Sequence, residues 1–523
     1  MIHVYNDYIE VSHDDPAFFP LSTLLEKSGY TDRKVFKKKN GKTTSRNRRF
    51  YWEECVFSRI GNSIYVPRGL YSMLWSNGYF SKSITYDKTI STINIDVDLL
   101  KDMSIYRSML DGIELRPEQL LSIRKMIILK RCIIQMGTGA GKTEIMCGFI
   151  KLMSNLLGYV PTTILIENNV NLVNSTINRL SKYNIECTDY RSNRSISLNT
   201  VNVCHPTSLN NDIKKGTTKL DKIKIFLADE CHHLIAATNQ EILKHTSVLE
   251  YSIGLSASAI DQSHVMSRDI KEFSIPELKI IGMTGSVAVN ITAGSLIKQN
   301  KLAVPVLVRI DNEISHKIPD SEIQNWHRTQ DDILLSKERN DLICICAKFF
   351  TDKNRKVLIL VNTIKWSQLL LKMLSEYGLS NISRGSYGGG RFEKYNPDIN
   401  EFEDCSQDNV LDKYSNGDIR ILIGTSHIYE GFDVPNLDVI ILAYGGKKDR
   451  LQIQGIGRSL RLTKTGKYAW IIDFCDSNNP VLSRQSNIRL ERYKEDIGIT
   501  DDRLFEDVYI QELPDIFSEF EEE

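Results

Sequence analysis

The chain has 523 residues, more than one hydrophobic core can organise, and domain sizes predict two to four domains. Lys plus Arg and Asp plus Glu balance at 66 each, so net charge singles out no partner class, and no apolar run approaches the roughly 18 residues that a membrane-spanning helix needs. Ten cysteines, scattered apart from Cys344 and Cys346 and without zinc-ligand spacing, suit reduced thiols, and the polar start MIHVYNDYIEVSHDD is no secretion signal, so a cytoplasmic protein without a membrane partner is expected.

Residues 1–103 pair an alternating segment, VFSRIGNSIYV, with a helical pattern, GLYSMLWSNGYF, and predict a small α+β module. Inside it, RKVFKKKNGKTTSRNRR (33–49) holds nine basic residues and no acid. With Phe36, Phe50, Tyr51 and Trp52 interleaved or adjacent, this run suits a phosphate backbone and exposed bases, with Arg46, Arg48 and Arg49 as candidate contacts. A solvated loop is the alternative.

From residue 104 onward, short apolar runs alternate with longer amphipathic stretches, the pattern of buried parallel strands with crossover helices. RCIIQM, TTILIE, VNVC, KIFLAD and YSIGLSAS form one group; KVLILV, IRILIGT, LDVIILA and AWIIDF form another. The predicted fold is α/β, with two parallel-sheet domains over 104–290 and 291–500. A polar, less periodic stretch near 290–340 reads as their connector. After Arg503 come eight acids and no base, so 501–523 is expected to be an acidic, solubilising tail.

Three segments carry chemistry. In QMGTGAGKTE, residues 135–144, a strand runs through Gly137, Thr138, Gly139, Ala140 and Gly141 into a helix beginning at Lys142 and Thr143. Glycines let successive backbone N–H groups turn towards phosphate oxygens, the lysine reaches the β- and γ-phosphates, and the threonine ligates Mg²⁺. Met136 stands where the strict motif has glycine. KIFLADECHH ends a second strand at Asp229, expected to hold Mg²⁺ largely through water, and Glu230, expected to polarise the attacking water. His232 and His233 have no Cys or His cluster nearby to complete a zinc site. In LQIQGIGRSLR (451–461), Gln454, Arg458 and Arg461 recur at i, i+4 and i+7, one helix face.

Asp229-Glu230-Cys231-His232 resembles the acidic box of superfamily 2 helicases, and other motifs of that family follow in its order. Arg116-Pro117-Glu118-Gln119 resembles the upstream nucleotide motif, whose glutamine reads adenine. Ser256-Ala257-Ser258 resembles the motif that couples hydrolysis to movement, with Ser where Thr is commoner. GTSHIYEGFDVPNLDVII resembles the fifth motif: Thr425 would touch nucleic-acid backbone, while Gly431 and Asp433 would face the nucleotide. LQIQGIGRSLR resembles the sixth, in which Gln454 orients water or phosphate and Arg458 and Arg461 neutralise γ-phosphoryl charge; Gly455 departs from the family's usual pair. The loop after TTILI reads ENNVNLVNS instead of beginning Pro-Thr. Asn168 takes that place and, with Thr207, is assigned to the strand.

The resemblance spans about 112–500. It implies two RecA-like motor domains, ATP and Mg²⁺ as cofactors, and nucleic-acid-dependent ATP hydrolysis. GLSASAIDQS, ITAGSLIKQNKLAVP and WIIDFCDSNNPVLSRQSNIRLERY, with Asp473, Ser486, Arg489 and Tyr493, resemble the branch that includes XPB, RecG and the phage helicase UvsW, whose layout the chain shares. That branch implies duplex, forked or junction DNA and RNA:DNA hybrids as substrates, in replication, recombination or repair. An RNA helicase is the rival, although its Pro-Thr-Arg-Glu-Leu loop is missing. A restriction motor would need a nuclease's acids and Glu-x-Lys, and a nucleic-acid sensor with a regulatory ATPase is the remaining reading.

Overall fold

The computed structural model describes residues 2–4, 8–27, 29–37, 43–51, 58–60, 62–80, 84–86, 93, 95, 107–137, 139–246, 248–267, 269–311, 335–386, 391–425, 437–444, 468–477, 480–494 and 505–521. It forms two compact units, one built from 1–136 and 141–290, the other from 291–523 together with 137–140.

The first unit opens with the small α+β module. Strands β1 (Ile2–Val4) and β2 (Tyr8–Ser12) lead to helix α1 (Phe18–Lys27). Then come β3 (Gly29–Lys37), β4 (Thr43–Tyr51), β5 (Ser58–Ile60) and β6 (Ser63–Pro67). A short helix, α2 (Tyr71–Ser76), and β7 (Ile84–Tyr86) complete the module. Five strands make one sheet in the order β5-β6-β2-β1-β7, while β3 and β4 form a separate antiparallel ribbon paired over nine residues. Burial alternates along β2 and β6, so Ile9, Val11, Ile64 and Val66 face a core that Phe18, Leu21, Leu70, Met73 and Leu74 close.

That core is not private to the module. It runs on into Leu278, Ile280 and Ile281 of the motor domain, one continuous apolar cluster.

The motor part of this unit is a seven-stranded sheet of β8 (Arg131–Met136), β9 (Thr163–Ile166), β10 (Cys187–Asp189), β11 (Val201–Cys204), β12 (Ile225–Ala228), β13 (Tyr251–Ser256) and β14 (Val287–Ile291), in the order β10-β11-β9-β12-β13-β8-β14. The pairings from β10 through to β8 are parallel. Every residue of β9, β11, β12 and β13 is buried, which is why these strands read as largely apolar runs. Helices α3 (Pro117–Leu129), α4 (Lys142–Leu157), α5 (Val170–Lys182), α6 (Pro206–Lys214) and α7 (Ile275–Thr284) belong to this part. Parallel strands put their carboxyl ends along one edge, the place where open α/β sheets hold ligands.

The second unit has nine strands: β15 (Val304–Ile310), β16 (Val357–Leu360), β17 (Ser383–Ser386), β18 (Phe392–Asn396), β19 (Glu401–Cys405), β20 (Ile421–Gly424), β21 (Val439–Leu442), β22 (Tyr468–Phe474) and β23 (Phe505–Val508). Their order is β19-β18-β17-β20-β16-β21-β22-β15-β23, parallel except for the antiparallel extension β17-β18-β19. Here α8 (Pro480–Arg492) follows β22, and Arg489 grips both oxygens of Asp473 at 2.9 Å while the Tyr493 hydroxyl reaches the same carboxylate at 3.3 Å. Three of the residues singled out in this late segment thus form a buried brace from the helix to the end of β22.

Two sequence expectations need correction. The supposed connector near 290–340 contains β15, a strand inside the second sheet, because AVPVLVRI is itself a buried apolar run. The acidic segment from 505 is not a tail: β23 pairs with β15, and α9 (Leu513–Glu521) buries Leu513, Ile516, Phe517 and Phe520. Phe517 stacks on Trp470 at 5.2 Å, so the acids occupy the exposed side of a packed helix. Among the described residues, no helix is long and apolar enough to cross a membrane.

Candidate nucleotide site

The phosphate-loop sequence folds as its glycines demand. Gly139 and Gly141 take left-handed φ values of +82° and +79°, and Gly141 caps the amino end of α4. Alternating the backbone hand in this way turns consecutive N–H groups inward as an anion nest, backed by the positive end of a sixteen-residue helix. A Cβ on Gly141 would lie 2.3 Å from the Gln119 amide nitrogen. Gln119 is buried; its nitrogen donates to the Gly141 carbonyl at 3.4 Å and its oxygen accepts from the Arg116 N–H at 2.8 Å. The expected adenine reader therefore also steadies the floor of the loop. Gly141→Ala is expected to raise the KM for ATP at least tenfold, because alanine disfavours the left-handed backbone and its Cβ displaces Gln119; an unchanged KM in steady-state kinetics would refute this account.

Lys142, the first residue of α4, sets its ammonium 3.4 Å from Glu230 Oε1. Burial works against that charge, yet the carboxylates of Glu230 and Asp229 hold the Lys142 pKa above its usual range. Glu230 lies below the carboxylate range: burial would raise it, but Lys142 and His232 outweigh that effect. Asp229 is pushed up to about 6 by burial and by the Glu230 charge beside it. The backbone of Glu230 is left-handed at φ +46°, unusual for a residue with a side chain and characteristic of functional sites. This turn aims the carboxylate back at Lys142.

The serine of the coupling motif joins the same cluster. Ser256 Oγ donates to Glu230 Oε2 at 3.2 Å, lies 2.9 Å from His232 Nδ1, and accepts the Ser258 N–H at 3.2 Å. A linked path therefore runs from Lys142 through Glu230 and Ser256 to the Ser258 backbone. Asn168 is half-buried, and its amide donates to the Asp229 carbonyl at 3.5 Å; Thr207 is exposed in the first turn of α6. Thr425 is buried just beyond β20 in the second unit. Thr138, Gly431, Asp433, Gln454, Arg458 and Arg461 lie outside the described residues, as do the side chains of Arg46, Arg48 and Arg49, although β4 carries their backbone.

One residue escaped the sequence reading. Glu167 ends the β9 run beside Asp229, fully buried, with Oε1 accepting Thr176 Oγ1 at 2.6 Å and no partner for Oε2 among the described residues. Burial, and then the Asp229 charge, push its pKa well above the usual glutamate value. An acid closing an otherwise apolar strand run, TTILIE, was the available signal.

The donor set suits a nucleoside triphosphate: a left-handed glycine nest, a helix amino end, and a charged lysine beside two acids. With this geometry in place, two family matches bear on identity. Residues 112–260 match the family described as Type III restriction enzyme, res subunit, and residues 339–463 match the Helicase conserved C-terminal domain. The chain is a superfamily 2 helicase. The helicase is 23% identical over 431 residues to helicase 22 of Sulfolobus islandicus filamentous virus, spanning 76% of this chain and 70% of that protein. It is also 23% identical over 390 residues to the DNA 3'-5' translocase XPB2 of Sulfurisphaera tokodaii, 69% of this chain and 82% of that one. In fold it is similar to S. cerevisiae Dbp5 bound to RNA and ADP BeF3, at a TM-score of 0.50 and 16% identity over 79% of this chain and 98% of that one. The two α/β units are the RecA-like motor domains of a nucleic-acid-dependent, ATP-hydrolysing helicase, and the small α+β module precedes them.

Proposed function

We propose that this helicase uses ATP and Mg²⁺ to translocate on and remodel duplex or branched DNA, including RNA:DNA hybrids, in replication, recombination or repair. The nest of residues 137–141 and Lys142 would hold the triphosphate, with Arg116 and Gln119 at its base end. Thr143, on the first turn of α4, and Asp229, whose charge burial disfavours unless a cation is near, suit Mg²⁺, which when bound supplies charge neutralisation between phosphate oxygens. Glu230, left-handed and ionised beside Lys142, orients and polarises water. Ser256 reports the state of Glu230 to Ser258. Gly431 and Asp433 would line the nucleotide, Gln454 would orient water or phosphate, and Arg458 and Arg461 would neutralise developing charge. Asn168, Thr207 and Thr425 are the candidate strand contacts.

The observation that carries DNA over RNA is the similarity, across most of both chains, to a protein named as a DNA translocase. The ribbon supports duplex or junction binding. Its backbone register carries the basic run on two paired strands, with Arg46, Arg48 and Arg49 at alternate or adjacent positions of β4. Phosphates would supply the counter-charge to these arginines.

The test is ATP hydrolysis over a panel of duplex, forked DNA, four-way junction, RNA:DNA hybrid and single-stranded RNA. Strongest stimulation by forked or junction DNA is expected; activation by RNA alone would make it an RNA helicase, and no stimulation by any nucleic acid would leave a sensor. Replacing Arg46, Arg48 and Arg49 together by alanine should weaken junction binding at least tenfold and flatten its salt dependence by roughly one unit of slope for each phosphate no longer neutralised. Equal losses in junction binding and single-strand-stimulated hydrolysis would count against a substrate-selecting ribbon.

A further inference from the structure

A second connection joins the strand of the phosphate loop to the segment that follows Ser258, and it bypasses Lys142 and Glu230. Gln135 is the penultimate residue of β8, two positions before Gly137, and it is buried. Its amide nitrogen donates to the Ile260 carbonyl at 2.9 Å and its amide oxygen accepts the Ile260 N–H at 2.9 Å. One side chain thus satisfies both backbone groups of a residue two positions beyond Ser258. The segment 256–260 is held at one end by Glu230 and His232 and at the other by the strand that carries the phosphate loop.

The next residue is tied elsewhere. The Asp261 N–H donates to Glu277 Oε1 at 2.9 Å, and Glu277 is a buried residue in the first turn of α7. Its carboxylate also accepts the Ser274 N–H at 2.8 Å and the Ser274 hydroxyl at 2.7 Å, and lies 3.1 Å from His264 Nδ1. The far end of α7 is where the N-terminal module docks: Gly69 meets the carbonyls of Ile281 and Gly282, and Gly282 meets Pro67.

We propose that Gln135 is a positioning residue that registers the coupling motif against the phosphate-loop strand, and that Glu277 extends this clamp to the helix carrying the N-terminal module. Nucleic-acid binding then reaches hydrolysis through the 256–261 segment. A side chain that holds both the N–H and the C=O of one residue, and so the two peptide units flanking Ile260, resists sliding in either direction, which a single hydrogen bond does not. The inference rests on nucleic-acid-stimulated hydrolysis and not on which nucleic acid stimulates.

The test uses the full chain carrying Gln135→Met, which keeps length and burial and removes both amide bonds, and separately Glu277→Ala, which lies away from the nucleotide. Rates are measured without nucleic acid and with whichever member of the panel above stimulates the wild type most. Each variant is expected to lower the ratio of stimulated to basal kcat at least fivefold, with the KM for ATP changed less than threefold. In Gln135→Met/Ser256→Ala, the two losses in stimulated kcat are expected to be less than multiplicative, since both act on one segment. Parallel loss of stimulated and basal rates, a rise in KM alone, or a fully multiplicative double variant would overturn the proposal. If Gln135→Met does not fold at the assay temperature, Glu277→Ala decides it: a wild-type stimulation ratio overturns the relay. A wild type that no nucleic acid stimulates would instead remove the functional reading beneath it.

Discussion

Replacing Lys142 by alanine is expected to lower ATP turnover by three orders of magnitude or more, about 4 kcal/mol of transition-state stabilisation, while nucleic-acid binding stays within a few-fold. The cause is electrostatic. The Lys142 ammonium is the partner of Glu230 at 3.4 Å, and Glu230 shares its surroundings with Asp229 and Glu167 at adjacent strand ends. Without the lysine, Asp229 and Glu230 would face an incoming polyanion with one cation fewer. The triphosphate would lose its charge partner, and Glu230 would lose the interaction that holds it ionised and oriented. Phosphate release measured at saturating nucleic acid, beside fluorescence anisotropy of a labelled forked DNA, separates the two readouts. Residual turnover above a tenth of wild type would show that the helix amino end and the glycine nest suffice. Lost DNA binding together with a lowered melting temperature would show damage to the fold instead.

Much of this site was legible because its chemistry restricts residue identity. A left-handed backbone beside a phosphate calls for glycine, so Gly139 and Gly141 announce themselves; a strand ending in paired acids behind such a loop is equally narrow in meaning. Buried parallel strands were legible for a different reason: with both faces covered, β9, β12 and β13 have no solvent-facing positions, so apolar residues dominate and the few polar ones, Thr163, Ser252 and Ser256, are small. Legibility failed where two signals competed. In 505–521 the density of acids suggested a solvated tail, whereas Leu513, Ile516, Phe517 and Phe520 recur at i, i+3, i+4 and i+7, the stripe of an amphipathic helix. Charge and period describe opposite faces of one element, and only the period reports packing. Gln135 was illegible for another reason. Its role depends on Ile260 lying beside it, and a partner 125 residues away leaves no local trace.

Gly69→Val is expected to be the most destabilising single change in the N-terminal module. A Cβ at Gly69 would sit 2.0 Å from the Ile281 carbonyl oxygen, 2.7 Å from that of Gly282 and 2.9 Å from the Gly282 carbonyl carbon. All three obstacles are backbone, so no rotamer change can make room; either α7 or the turn 68–70 must move. Overpacking of this kind costs about 1–3 kcal/mol and more when the backbone cannot yield, a loss of roughly 2–5 °C in melting temperature for a unit of this size. Gly78→Ala supplies the control, since its Cβ would meet nothing within 4 Å and only its φ of +74° is strained, so a loss near 1 kcal/mol is expected there. Calorimetry of both variants, with hydrogen exchange across β6 and α7, distinguishes local undocking from general weakening. A Gly69→Val protein that melts with the wild type would mean that the module and the motor domain do not share the core that joins Leu70 to Ile281. Faster exchange confined to β6 and the last turn of α7, with β12 and β13 still protected, would place the loss at the docking surface. The relay through Glu277 then makes a further demand, because a module no longer held against α7 should stimulate hydrolysis less even where the nucleotide site is intact.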